Sequence, residues 1–296
     1  MHSPNEFERS ILEYNRSLAP QNGAAFHEQE DLRAFLDAPP ELYTPGVLVV
    51  ERLCQLEVVA TISGAFGVGK NGAKSKAVEL AEFPHPPRNV RPIHPVLNGT
   101  TRLAEYRDGH VEEDGIDYNF AFTYAKNREL ARKLRDGQLV QYAQPRGDHV
   151  YFTDIDDFPE RDIALMDTVP QTLFDLNRIL DHAGKRAVGI YRTEDTFEGW
   201  MARVQGRGDI LDKYGEPIDI ENYRKRMKEA AKSISEALQL RKELGICFFA
   251  TESKVEAGKA VIDILTGHHT NEMQLKAEAG AAAMLRGLAA AGFRAA

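Results

Sequence analysis

The sequence predicts an α/β fold with a parallel sheet flanked by helices, and three observations predict it. Short β-branched or apolar runs alternate with helix-patterned segments along most of the chain. The first such run, LEVVATIS at 56–63, ends directly at a glycine-rich loop. A helix-patterned segment, AKSKAVELAEF, follows that loop at once. Strand, glycine loop and helix in that order form the first unit of a layered sheet.

The remaining elements follow in chain order. Residues 1–45 are polar, with helix-like stretches at EFERSILEYNRSL and EQEDLRAFLDA, and are expected to form an N-terminal extension ending in the proline-rich joint APPELYTPG. A helix is expected to start near Lys70. PHPPRNVRPIHP carries too many prolines for regular structure. From about 117 to 153, short strands (DYNFAF, QLVQYA, HVYFT) surround one helix, NRELARKLRDG, which Gly137 ends. DIALMD and RAVGIY predict buried strands with the helix TLFDLNRILDHAG between them. TFEGWMARVQGRG and ENYRKRMKEAAKSISEALQL predict two helices split by a flexible connection. ICFFAT is the last strand, VEAGKAVIDIL the last core helix, and 268–296 an Ala-rich helical tail.

Composition narrows the function classes. A 296-residue chain that is 43% hydrophobic and 28% charged reads as an ordinary globular protein with a sizeable core. Its formal charge of -8 argues against non-specific binding to nucleic acid, which needs clustered Lys and Arg. The start, MHSPNEFERSILEYN, has no apolar core, so no secretory leader is expected. Apolar runs such as ICFFA are far too short to cross a bilayer, so no membrane partner is expected. Two cysteines, Cys54 and Cys247, make neither a disulfide framework nor a thiolate zinc site, and a reducing cytoplasm is the expected location.

GAFGVGKNG at 64–72 holds two overlapping phosphate-binding patterns. Gly64, Gly69 and Lys70 fit G-x-x-x-x-G-K, whereas Gly67, Gly69 and Gly72 fit the dinucleotide pattern G-x-G-x-x-G. The dinucleotide reading needs an acidic residue about 20 positions on, to hold a ribose hydroxyl. The sequence there is RNVRPIHPVLNGTT, without Asp or Glu. The P-loop reading gives Lys70 a role, since its ammonium reaches the donor's β- and γ-phosphates while the loop amides cradle their oxygens. Gly64, Ala65, Phe66, Gly67, Val68, Gly69, Lys70 and Asn71 are therefore the candidate ATP-binding residues.

Downstream, TTR (100–102), EEDGIDYNF (112–120), GQLVQYAQPRGDHVYFT (137–153), RVQGRGD (203–209) and YRKRMKEAAKSI (223–234) follow in order. This series resembles the guanylate kinases over roughly 56–267. The resemblance implies a P-loop NTPase core, a small mixed nucleotide-monophosphate-binding subdomain at about 98–155 and a helical lid at about 203–226, all within a domain spanning 46–267. It implies ATP and magnesium as cofactors and nucleotides as the partners. Lys70, Arg203, Arg207 and Arg226 match the cations that act on the transferred phosphoryl group. Arg102, Tyr118 and Tyr151 match binders of the acceptor phosphate, with Arg107 as a looser match and Thr153 closing the same segment.

The chain departs from the family pattern at several positions. Asn71 stands where a Ser or Thr hydroxyl ligates magnesium, which weakens an ion that demands near-ideal octahedral geometry. Gln141 replaces the glutamate that accepts from the guanine edge, and Asn98 lies near a base-reading serine. Asp167 matches the first Asp of an L-D-I-D strand, leaving Asp167 and Asn71 as the candidate metal residues, while Val169 falls where the second Asp belongs. Phe152 occupies a family glycine position. The first expectation is thus phosphoryl transfer from ATP to GMP or a related purine nucleotide. The alternatives are a kinase of another phosphorylated small molecule, or a module that binds phosphate or phosphopeptide without turnover. The two terminal extensions are where self-association would be built.

Overall fold

A computed structural model describes residues 45–295 except 84–85, 87–89, 102–103, 105, 108–109, 122–123 and 144–149. The helices expected within 1–44 lie outside the described residues. The chain divides into two compact units, one containing Val96–Phe158 and the other Leu56–Pro95 with Pro159–Ala296.

The larger unit is the predicted parallel sheet. Its strands are β1 (Val58–Gly64), β2 (Ile93–Val96), β9 (Ile163–Asp167), β10 (Val188–Thr193) and β11 (Cys247–Ala250), in the order β11-β10-β1-β9-β2. β1 pairs in parallel with both β9 and β10, and β10 with β11. Central β1 is buried at every residue from Val59 to Ser63, as a strand covered on both faces must be. PHPPRNVRPIHP, expected to be irregular, contributes β2 after all. Pro95 is tolerated because β2 is an edge strand, where a missing N–H breaks no ladder.

Helices α2 (Lys70–Ala81) and α7 (Lys254–Leu265) pack closely on one another. Ala73, Ala77, Ala257 and Ala260 line the buried core there, and a Cβ on Gly258 would lie 2.9 Å from the Lys76 backbone carbon. Helix α4 (Pro170–Leu180) joins β9 to β10, opening on a proline whose missing N–H needs no partner in a first turn. Helices α5 (Phe197–Arg207) and α6 (Ile220–Leu244) match the two helices expected around the lid, and the segment between them closes through a Leu211–Pro217 bridge.

The Ala-rich tail is helix α8 (Asn271–Ala290), and its role is to finish the sheet. Gln274 extends the edge of β11: the Phe248 amide donates to its Oε1 at 2.7 Å and its Nε2 donates to the Ile246 carbonyl at 3.2 Å. An amide side chain thereby replaces the next strand, blunting an otherwise open edge. Two glycines let α8 sit this close. A Cβ on Gly280 would be 2.3 Å from the Glu194 carbonyl oxygen, and one on Gly287 would be 2.2 Å from the Phe197 ring.

The smaller unit begins with α1 (Val47–Gln55), a helix that the sequence patterns did not reveal. Its four-stranded mixed sheet runs β6 (Asn119–Phe120), β3 (Gly99–Thr100), β8 (Tyr151–Asp154), β7 (Leu139–Ala143), with a separate β4 (Tyr106–Arg107) and β5 (His110–Val111) ladder. DYNFAF, expected as a full strand, yields only the two residues of β6. Helix α3 (Tyr124–Arg135) supplies Leu130 and Leu134 to a core with Leu139, Tyr142 and Phe152. Phe152 lies directly opposite Gly99, where a Cβ would come within 2.0 Å of its ring. The aromatic ring on β8 is accommodated by a glycine on β3.

Gln274→Ala leaves the Phe248 N–H of β11 and the Ile246 C=O just before it without this partner, and each such buried group costs about 1–3 kcal/mol. The variant is expected to lose about 2 kcal/mol in urea unfolding at unchanged m-value. A loss below about 0.5 kcal/mol would mean that the edge does not depend on this side chain.

Candidate active site

The loop between β1 and α2 is shaped by three glycines. Gly64 leaves the sheet opposite Arg192 of β10, and a Cβ there would stand 2.4 Å from the Arg192 carbonyl oxygen. Gly67 and Gly69 have φ of +79° and +86°, the left-handed region that disfavours any side chain. Gly72, the third glycine of the competing dinucleotide pattern, lies inside α2, where a Cβ would make only ordinary contact with the Lys254 side chain at 3.5 Å. The backbone therefore requires Gly64, Gly67 and Gly69 but not Gly72, which favours the P-loop reading of the glycines.

Lys70 is the first residue of α2, and its ammonium folds back over the loop, 2.9 Å from the Gly64 carbonyl and 3.4 Å from that of Ala65. The first N–H groups of a helix have no intrahelical acceptor and carry its positive dipole end. A lysine above such a terminus makes an anion site.

Helix α5 packs directly on the tip of this loop. The Trp200 indole N–H donates to the Phe66 carbonyl at 2.8 Å, and the two rings meet edge-on at 5.4 Å. Beside Gly67, a Cβ would touch Val204 Cγ2 at 3.1 Å and Arg207 Cδ at 3.9 Å. Trp200, Val204 and Arg207 thus present successive turns to the loop. Arg207 grips Asp209 with two hydrogen bonds, 3.1 Å from Nε and 2.9 Å from Nη2. Arg226 of α6 lies 6.0 Å from the Phe66 ring centroid and 3.7 Å from Glu229.

Arg203, one turn before Arg207, takes different partners. Its Nε pairs with Glu194 at 2.8 Å and its Nη2 donates to the Glu252 carbonyl at 3.1 Å. Burial pushes the Glu194 carboxyl above its usual range, while Arg203 and Arg192 pull it back. Asp167 ends β9 in register with Ile62 of β1, so its carboxylate stands at the carboxyl end of the strand beside the loop-bearing one. Val169 caps α4, half exposed and without a side-chain hydrogen bond, so no second carboxylate accompanies Asp167 there. Asn71 follows Lys70 on the exposed first turn of α2.

In the smaller unit, strand alternation sorts the candidates by face. Phe152 points into the core, so its neighbours Tyr151 and Thr153 point the other way. Gln141 lies opposite Thr153 on β7 and donates from Nε2 to its hydroxyl at 3.0 Å. The Thr153 hydroxyl in turn donates to Asn98 Oδ1 at 2.8 Å. Tyr118 and Tyr151 meet edge-to-face at 6.0 Å. Asn98, Gln141 and Thr153 therefore form one hydrogen-bonded chain, with the tyrosine pair beside it through Tyr151. Arg102 lies outside the described residues, and Arg107 is described only through its backbone in β4.

Three contributors were missed in the sequence: Trp200, Glu194 and Arg192. The signal for Arg192 was a lone charge inside a buried strand, RAVGIYRT; Trp200 gave none beyond its apolar place in α5.

Among solved structures the chain is similar to the crystal structure of guanylate kinase from Anaplasma phagocytophilum, at 17% sequence identity, with a TM-score of 0.45, over 74% of this chain and 90% of that one. No family model matches the sequence, and no curated protein matches it.

Trp200 is the only tryptophan in the chain, and its N–H is bonded to the loop itself. Intrinsic fluorescence should therefore report loop occupancy: adding tripolyphosphate is expected to shift or quench the emission saturably. Emission that stays flat up to millimolar tripolyphosphate would count against an anion site at this loop.

Proposed function

We propose that this chain transfers the γ-phosphoryl group of ATP to a nucleoside monophosphate, GMP or a related purine nucleotide, releasing ADP and the nucleoside diphosphate. The observation that carries the reading is the loop at 64–71, where the required glycines, the α2 N-terminus and Lys70 converge under a helix bearing Arg207. In this reaction an oxygen of the acceptor phosphate bonds to the γ-phosphorus, and the bond to the β–γ bridging oxygen breaks. The attacking group is already anionic, so no dedicated general base is needed. Positioned cations supply the stabilisation, because charge spreads over the transferred group in the transition state.

Lys70 would hold the donor's β- and γ-oxygens, and Arg203, Arg207 and Arg226 would neutralise the moving charge. Asp167 and Asn71 fit a magnesium ion held mainly through water, since Mg²⁺ commonly takes one or two carboxylates together with substrate phosphates. A bound ion would supply charge neutralisation to the phosphates, with Asp167 and Asn71 orienting its water shell. In the smaller unit, Tyr118 and Tyr151, with Arg102 and Arg107, are the proposed acceptor-phosphate residues. Asn98, Gln141 and Thr153 are the proposed readers of the base.

The hydrogen-bond chain gives base reading a direction. Gln141 donates to Thr153, and Thr153 donates to the oxygen of Asn98. A glutamate at 141 can only accept when ionised, so the Thr153 hydroxyl would turn towards it and Asn98 would have to rotate its amide to donate. One substitution therefore reverses two polar edges.

Lys70→Ala is expected to abolish ATP-dependent phosphorylation in a coupled assay while leaving the unfolding midpoint unchanged; normal turnover would refute the kinase reading. Gln141→Glu should raise the preference for GMP over IMP, AMP and UMP by about tenfold or more, since a site that pairs a polar edge discriminates strongly. Strong GMP selectivity in both proteins would show that residue 141 does not read the base. Asn71→Ser should lower the magnesium concentration for half-maximal rate, and an unmoved value would remove Asn71 from the metal's surroundings.

A further inference from the structure

Arg192 is a buried cation that the proposed reaction leaves without a role. It lies on β10 in register with Gly64 and is only 2% exposed. Its Nη1 donates to the Gly69 carbonyl at 2.8 Å, and its guanidinium carbon lies 5.8 Å from the Phe249 ring centroid. Burial pushes its pKa down to about 10, Glu194 working against that shift and Arg203 with it, so the group stays charged at neutral pH.

Three observations separate it from a structural filler. The Gly69 carbonyl already accepts the Ala73 amide at 3.1 Å, so a second donor is not needed to satisfy it. Arg192 Nε is buried with no hydrogen-bond partner among the described residues, a desolvation penalty that an apolar residue would avoid. Its surroundings include Ile190 and Phe249 of the main apolar core, which a Met or Leu would extend.

We propose that Arg192 is a positioning residue for polyphosphate binding: by gripping the Gly69 carbonyl it aims the Lys70 amide N–H into the anion cradle and holds a positive charge behind it. In a trans peptide the C=O and N–H point in opposite directions, so fixing the Gly69 oxygen on the Arg192 side turns the Lys70 N–H away from it, out of the helix terminus. Gly69 is required here by its left-handed φ of +86°, and a Cβ there would make only ordinary contact with the guanidinium at 3.4 Å. The inference rests on the loop binding polyphosphate, as proposed above.

The test is calorimetric titration of tripolyphosphate into the full chain as wild type, Lys70→Ala, Arg192→Met and Arg192→Lys, with thermal unfolding of each. Methionine keeps most of the volume, and Glu194 keeps its ion pair with Arg203 at 2.8 Å. Arg192→Met is expected to bind tripolyphosphate about tenfold more weakly, the scale of one charged hydrogen bond, with Arg192→Lys in between. In turnover the loss should appear chiefly as a raised KM for ATP. A folded Arg192→Met that binds within twofold of wild type overturns the assignment. Should that variant not fold, Arg192→Lys decides, and affinity within twofold of wild type overturns it as well. Wild type that does not bind, or Lys70→Ala that binds equally well, refutes the loop reading itself and the inference with it.

Discussion

The donor half of the proposed site depends on one steric constraint: the chain must leave β1 at a residue that has no side chain. Gly64 lies so close to the Arg192 carbonyl oxygen that a Cβ would overlap it at 2.4 Å. Only glycine allows β1 and β10 to stay paired up to that residue while the chain turns over the end of the sheet. The same pairing sets Arg192 beneath the loop and places Gly69 where the guanidinium can reach its carbonyl. Sheet register, loop shape and the position of the α2 terminus are thus one fact seen three ways.

A second dependence runs through the sheet edge. Helix α8 closes β11 with Gln274 and meets the segment that leads from β10 into α5, where Gly280 lies against Glu194 and Gly287 against Phe197. The Lys276–Asp195 ion pair, at 3.0 Å, sits on the same segment. The helix that touches the glycine loop through Trp200 is therefore anchored at its start by the tail of the chain. A region that looks like a compositional afterthought in the sequence supports the start of α5.

Much of this was legible beforehand, and the reasons differ by element. LEVVATIS, DIALMD and RAVGIY could be read as strands because full burial on two faces leaves continuous apolar runs, and each became a strand of the parallel sheet. The glycine loop could be read because positive φ restricts residue choice locally. Strand β2 could not, since the tolerance for Pro95 comes from its place at a sheet edge, a property of the assembled sheet. Helix α1 escaped because only Val49 and Leu53 are buried in it while Val47 and Leu48 are exposed, which blurs the periodicity. The partners of Arg203, Glu194 and the Glu252 carbonyl, come from other elements and leave no spacing signal.

Those partners bear on how a polyphosphate would be taken up. Arg203, Arg207 and Arg226 each already have a carboxylate: Glu194, Asp209 and Glu229 in turn. Of these, Arg207–Asp209 is partly solvated, and a solvated ion pair is worth about 0–1 kcal/mol, somewhat more in this bidentate geometry, whereas the Glu194 carboxylate is largely buried. In the proposed reaction, exchanging Asp209 for a polyphosphate oxygen would give up little at Arg207, whereas releasing Glu194 from Arg203 would leave a largely buried carboxylate unpaired. Arg192 differs: it is too deeply buried to change partners, so its charge is a fixed feature behind the loop.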